Sequence, residues 1–317
     1  MSLTTLIARR LALGVLILLF VSLLVFVGTE ILPGDVAYAI LGQGATPEII
    51  ANVRARLGLD EPAHLRYFTW LGNLLAGNLG TSLANNADIA DMIGERILNT
   101  VLLAGVTAAL AVPLAIGLGL LCALKPNGSV DRVISAASLT LISVPDFLVA
   151  IVLVTIFAVH LGWLPAIANL RPGLDATAVA RMLVLPVAVL TFTVLAHMVR
   201  MTRTTVINIL TTPAIEMAIL KGVGRWRLLI VHALPNALAP IANVVALNLA
   251  FLISGIVVIE TLFNFAGLGR LMVEAVTTRD IPVVQVCAMI FCSVYVGLNL
   301  LADVVAIVAN PRLRYSK

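Results

Sequence analysis

The chain has 317 residues, 61% hydrophobic and 11% charged, with a formal net charge of +4. Soluble domains carry roughly 25% charged residues, so a water-soluble fold cannot hide this much apolar surface. The positive balance is too small and too scattered for a nucleic-acid binder, and fits membrane topology instead. Cys122, Cys287 and Cys292 all lie inside apolar runs, without a second Cys pair or a following His, so they read as buried inert thiols and not as a metal site or disulfide framework.

A spanning helix needs about 20 largely apolar residues. No charge interrupts the run between Arg10 and Glu30, the first predicted span. The following Ile31-Leu32-Pro33-Gly34 lacks a small-x-small cleavage pattern, so this helix is expected to be retained. Residues 32–95 are more polar and read as an extramembrane region of short helices. One runs from Thr46, with Pro47 at the first helical position and Glu48 on the N-terminal dipole, to Gly58. Another runs from Pro62 to Leu75, with Tyr67, Phe68 and Trp70 placed to lie at a membrane interface.

Further spans are predicted over 97–124, 133–159, 182–199, 238–262 and 283–308. KPNGS after the second is a tight turn. The third contains Pro145-Asp146; proline kinks a helix, and a carboxylate at depth faces protein or a water-filled cavity. Asp146 is therefore either a pathway residue that meets a substrate amino group, or a packing acid hydrogen-bonded to a nearby Ser or Thr. Asp303 is expected to snorkel or pair with a cation, and residues 263–282 to form a loop or re-entrant stretch. Six spans put both termini on one side. That side carries Arg9, Arg10, Lys125, Arg132, Arg200, Arg203, Lys221, Arg225, Arg227, Arg312, Arg314 and Lys317, so it is expected to be cytoplasmic.

The segment EMAILKGVGRWRLLIVHALPN, Glu216 to Asn236, lies between the fourth and fifth spans. It reads as two short helices joined by a glycine elbow at Gly222-Val223-Gly224. Ile215, Ala218, Ile219 and Leu220 form one apolar face, and Trp226, Leu229 and Ile230 form a second; Pro235 ends the element. Such faces at the cytoplasmic surface serve as a docking surface or lie on lipid, with the basic residues on anionic headgroups.

Glu216-Met217-Ala218, three residues, Gly222, nine residues and His232-Ala233-Leu234-Pro235 resemble the Glu-Ala-Ala loop of ABC importer permeases. HALPNALAPI is similar to the dipeptide/oligopeptide branch, as are LPGD, ATPEIIANVRARLGLDEP, YFTWLGNLLAGNLGTS, SVPDF and FNFAGLGRLMVEAVTTRDIPVVQ in the same order. Met217 stands where the family has Ala, Pro213-Ala214 and Ile219 replace an acidic-Tyr pair and an Arg, and Ala306 and Asn310 replace a Tyr and an Asp.

The resemblance implies an all-α membrane protein, six transmembrane helices of the type I ABC importer permease fold with a helical periplasmic insertion after the first. It divides the chain into 1–31, 32–95 and a permease core of 96–317, with a coupling loop at about 206–235. It implies coupling to an ATPase through Glu216, Ala218, Lys221, Gly222, Arg225, His232, Leu234 and Pro235, and a pathway that includes Pro145 and Asp146. Expected partners are a second homologous permease subunit in a heterodimer, two cytoplasmic ATPase subunits, an extracytoplasmic solute-binding protein and the lipid bilayer, with no nucleic acid. The expected location is the bacterial inner membrane.

The sequence has no G-x-x-x-x-G-K-[ST], no H-E-x-x-H and no G-x-S-x-G. The chain is therefore expected not to be an enzyme and to hold no cofactor or metal, ATP and Mg belonging to partner subunits. The alternative is an ion-coupled secondary transporter, which would show internal repeats; no clear one is present.

Overall fold

The computed structural model describes residues 3–31, 54, 60–171 and 173–309. Among these residues the only strand-like pairing is an isolated bridge between Thr81 and Asp88; nearly all else is helix or turn. Helix is what hydrocarbon demands, because it satisfies backbone N–H and C=O groups within one segment. In chain order the helices are α1 (Leu3–Glu30), α2 (Ala63–Leu75), α3 (Ile89–Leu124), α4 (Ser129–Ser143), α5 (Asp146–Leu153) and α6 (Ala176–Leu210). They continue as α7 (Pro213–Leu220), α8 (Arg225–Arg227), α9 (Leu234–Leu262), α10 (Leu268–Thr277) and α11 (Ile281–Ala309). Wider π turns, Val154–His160 and Leu228–Ala233, follow α5 and α8. Among the described residues five helical segments are long and apolar enough to cross a membrane, or six if the bent α4–α5 pair is one span.

The chain divides into two compact units, Leu13–Thr100 with Ala266–Val296, and Met1–Ala12 with Val101–Phe265 and Gly297–Lys317. In the first of these, Tyr67 and Trp70 of α2 pack on Phe26 with ring centroids 5.4 and 6.0 Å away, and the Tyr67 hydroxyl lies 2.9 Å from that of Ser22. Phe68 stays exposed. The helix expected from Thr46 to Gly58 lies outside the described residues apart from Arg54. Helix α3 starts before the predicted residue 97, because the Asp88 carboxylate accepts the Ala90 N–H at 2.7 Å and caps it.

The stretch 263–282, expected as a loop or re-entrant segment, contains an amphipathic helix, α10, whose Leu268, Leu271 and Ala275 are buried with Ile89, Ile93, Val283 and Val286. Its charged face bonds as well: Glu274 accepts from Arg96 at 3.2 Å and from Arg270 at 2.7 Å. Just after it, the buried Asp280 accepts the Ser82 hydroxyl at 2.5 Å and the Leu83 N–H at 3.1 Å.

In the other unit the predicted span 133–159 is not one kinked helix. It breaks at Val144-Pro145, and α4 and α5 meet at 103°. Proline has no N–H, and its ring drives the preceding residue out of the helical region; Val144 is extended, with φ −99° and ψ 127°. The core is formed by α6 against α9: Val187, Leu190, Val194 and Met198 meet Val244, Leu252, Ile256 and Ile259. Helix α6 outruns its predicted span at both ends, reaching Leu210. Asp303 pairs with Arg10 at 2.7 Å, joining α11 to α1.

Helix α3 meets α6 at Gly119, where an added Cβ would lie 2.7 Å from both Cβ and Cγ2 of Thr202. Gly119→Ala is expected to lower the thermal unfolding midpoint in detergent by the equivalent of about 1–3 kcal/mol. Gly117→Ala, with nothing within 4 Å of the new methyl, is the control and should not. Equal midpoints for the two variants would mean that the α3–α6 contact yields freely.

Candidate functional site

Thr212 precedes α7 in extended conformation, Pro213 takes its first position and Glu216 lies in its first turn, a sequence order suited to a helix start. The helix ends in a Schellman closure. Gly222 sits at φ +79°, the Gly222 N–H donates to Ile219 O at 2.9 Å, and the Val223 N–H donates to Ala218 O at 3.2 Å. Ala218 and Val223 pack in one small cluster with Ile215, Leu228 and Ala233, seated on Ile209 and Leu210 at the end of α6. The glycine elbow read from the sequence is thus a closed turn with its own apolar contact.

The two predicted apolar faces each divide. Ile215 is buried and Ala218 half-buried, whereas Ile219 and Leu220 are exposed, Leu220 to 77%. Leu228 and Leu229 are buried, whereas Trp226 and Ile230 are exposed. The exposed set, with Met217 and the charges of Glu216, Lys221 and Arg225, is the surface that α7 and α8 present.

Pro235 does not end the element. It lies in the first turn of α9, which continues directly from the π turn. In that wider turn the Leu234 N–H reaches back to Leu229 O, and the Asn236 amide donates to His232 O at 2.7 Å. The extra residue makes room for a ring that an α-helical interior would reject. His232 is half-buried, Leu234 half-buried and Pro235 exposed. The segment that leaves the long helices is therefore 211–224, shorter than the 206–235 expected, since α6 runs to Leu210 and the helical path resumes at Arg225.

Pro145 and Asp146 lie at the α4–α5 break, with Pro145 exposed and Asp146 half-buried. Asp146 Oδ1 accepts the Thr193 hydroxyl of α6 at 2.9 Å. Its Oδ2 faces Gly255 of α9, where an added Cβ would lie 3.9 Å away. The packing-acid geometry is present, and it places the acid beside the two central helices.

One linkage was not foreseen. Asp131, only 3% exposed, accepts from Arg203 Nε at 2.5 Å and from its NH2 nitrogen at 2.7 Å, a bidentate ion pair between α4 and α6. Asp131 also accepts the Asn127 N–H at 2.7 Å and the Ser135 hydroxyl at 3.2 Å, which holds the KPNGS turn in place. Arg203 had been read only as a topogenic charge. The one local signal was an acid one turn into a helix after an Asn-Gly turn.

Residues 115–315 match the family described as the binding-protein-dependent transport system inner membrane component, and residues 3–104 match its N-terminal component. The chain is similar to a peptide transport system permease protein of Brucella abortus, 36% identical over 313 residues, 98% of this chain and 99% of the relative. It is also similar to a peptide ABC transporter permease protein of Sinorhizobium fredii, 33% identical over 98% of this chain and 99% of that one. A glutathione transport system permease protein of Salmonella choleraesuis is 35% identical over 94% of this chain and 95% of its own length.

Two outcomes follow from the geometry. Asp131→Asn is expected to destabilise the fold by about 3 kcal/mol, because it strands a half-buried guanidinium. Adding Arg203→Gln should recover part of that loss, and purely additive single and double variants would show that the pair does not act as a unit. Gly222→Ala meets no clash, since nothing lies within 4 Å of the new methyl, but its φ alone costs about 1–2 kcal/mol. Hydrogen exchange at the Val223 amide should then speed up by roughly tenfold, and unchanged exchange would contradict the strained-turn reading.

Proposed function

The chain belongs to the binding-protein-dependent transport system inner membrane components, and on that premise we propose how it works as the permease subunit of an ATP-driven importer for peptides or similar small solutes. The observation that carries the reading is the 211–224 segment. It is a helix closed by a Schellman turn, seated by Ile215 and Leu228 on the end of α6, with apolar residues and Glu216 turned outward. A surface of that composition on a cytoplasmic loop suits a protein partner. The partner in this proposal is an ATPase, contacted by Glu216, Lys221 and Arg225, while Ala218, Gly222, His232, Leu234 and Pro235 set the shape of the segment and its junction with α9.

Two ATPase subunits, an external solute-binding protein and a second, related permease chain complete the proposed assembly. ATP and Mg belong to the ATPases, since this sequence contains no P-loop. Both termini lie on the cytoplasmic side in this arrangement, which follows from the distribution of Lys and Arg. The extramembrane region 32–95 receives the binding protein and covers the outer end of the pathway, and 96–317 is the permease core. Transport proceeds by alternating access, with direction set by the difference in substrate binding between states.

Pro145 and Asp146 are the proposed pathway residues. Among the described residues Asp146 Oδ2 accepts no hydrogen bond, so it is open to a substrate ammonium group, while Thr193 holds Oδ1. Peptides are the favoured substrate class because two of the relatives are named as peptide permeases and the third as a glutathione permease, glutathione being itself a small peptide.

Co-purification in mild detergent tests the assembly. The native chain is expected to bring down ATPase subunits and a second permease chain. Glu216→Lys and Gly222→Asp should lose the ATPases and keep the sister chain. A chain that purifies alone and still transports in vesicles without ATP would overturn the proposal.

A further inference from the structure

A pocket of about 410 Å³ opens beside the coupling segment, at the level where the long helices stop. Leu124 is the last residue of α3, Leu210 the last of α6, and Leu228 and Leu229 lie in the turn that leads into α9. All four line the pocket, as does Val223. Two cations stand in the lining, Lys125 from the α3–α4 turn and Arg225 from α8, and no carboxylate does. Both are exposed, and among the described residues neither has an ion-pair partner.

The position of Lys125 is built, not incidental. The turn that carries it is fixed by the Asn127 N–H on Asp131, by the Gly128 N–H on Lys125 O at 3.0 Å, and by the bidentate hold of Asp131 on Arg203. Two elements distant in sequence thus bring ammonium and guanidinium donors to one apolar hollow. Its volume falls at the lower end of the range for ligand pockets, about 300–1,000 Å³.

We propose that this pocket binds an anionic phospholipid from the cytoplasmic leaflet, its phosphate between Lys125 and Arg225 and its upper acyl chain on Leu124, Leu210 and Leu229. Charge and depth select this occupant. The lining is cationic, and it lies where apolar spans give way to polar chain, the depth at which headgroups reside. The most exposed apolar residues of the coupling segment, Leu220, Trp226 and Met217, do not line this pocket, whereas Ile219 and Arg225 do, so the lipid and a protein partner meet along a shared edge at these two residues. A lipid here bridges the α3–α4 turn and the coupling segment, and makes the conformation of that segment depend on the charge of the leaflet.

The test uses the intact transporter complex in nanodiscs of neutral phosphatidylcholine with a minor fraction of phosphatidylglycerol, followed by native mass spectrometry of retained lipid. Phosphatidylglycerol is expected to be retained in preference to phosphatidylcholine. Lys125→Gln and Arg225→Gln should each reduce that preference about fivefold, the effect of one cation near a headgroup. Lys125→Arg should keep it, and Arg200→Gln, a cation outside the pocket, should not change it. Excess inorganic phosphate should not displace the lipid, because the acyl contacts are part of the site. Equal retention of the two lipids, or unchanged retention in the Lys125→Gln/Arg225→Gln double variant, would overturn the proposal. So would a double variant that sheds the ATPases and keeps the lipid, which would assign the pocket to an acidic side chain of the partner. Lipid retention is read independently of transport, so failure here is distinguishable from failure of the importer reading.

Discussion

Hydrocarbon cannot hydrogen-bond, and that single constraint governs how this chain is allowed to bend. Three interruptions of helix show how a bend is compensated. At Val144-Pro145 the break is followed at once by α5, whose first residue, Asp146, is tied to Thr193. At Gly222 the free carbonyls of Ala218 and Ile219 are taken up by the closing turn. At Pro235 a π turn re-aims the donors, so that Leu234 reaches Leu229 O and Asn236 supplies His232 O. At each of these three departures from ideal helix a substitute bond is at hand.

The same economy applies to charge. Among the described residues ion pairs join elements far apart in sequence: Arg203 with Asp131, Arg10 with Asp303, Arg96 with Glu274 and Arg66 with Glu30. Each fixes a helix near one of its ends, where water can reach at least one partner and desolvation is less costly than at the bilayer centre. Charges listed along a sequence as topology signals therefore do two things at once. They set which side of the membrane a loop occupies, and they lock neighbouring helices in register.

Much of the architecture was legible without coordinates, because the signals are local. Charge-free runs mark the spans, and Gly222 after an apolar helical run marks a helix end. The order and spacing of short motifs along nearly the whole chain indicate the family. What was misread needed knowledge of a neighbour. The Pro145 break was taken for a kink, since proline alone does not say whether the next turn will re-align. The sequence presents the apolar faces on either side of Gly222 each as a whole, although the end of α6 covers Ile215 and leaves Leu220 open, and Leu229 is buried where Trp226 is open. Asp280 and Ser82 lie 198 residues apart, and nothing local in either stretch announces the other. The amphipathic helix α10 lies in a stretch that the sequence presents only as a loop or re-entrant segment, because it is short and sits between two spans, although its apolar spacing was there to find.

The two ends of α7 are unlike. Toward α6 a two-residue turn, 211–212, separates it from a helix that runs to Leu210. Toward α9 the closed turn at Gly222 intervenes, and past it the helical path runs from Arg225 through the π turn to Leu262 as one rod. Ile215 and Leu228 lie in one buried cluster, so α7 and the foot of that rod share a footing that spans the turn. A displacement of α7 therefore bears on the rod through packed side chains and not through the backbone alone, and the rod is the helix whose Gly255 faces Asp146.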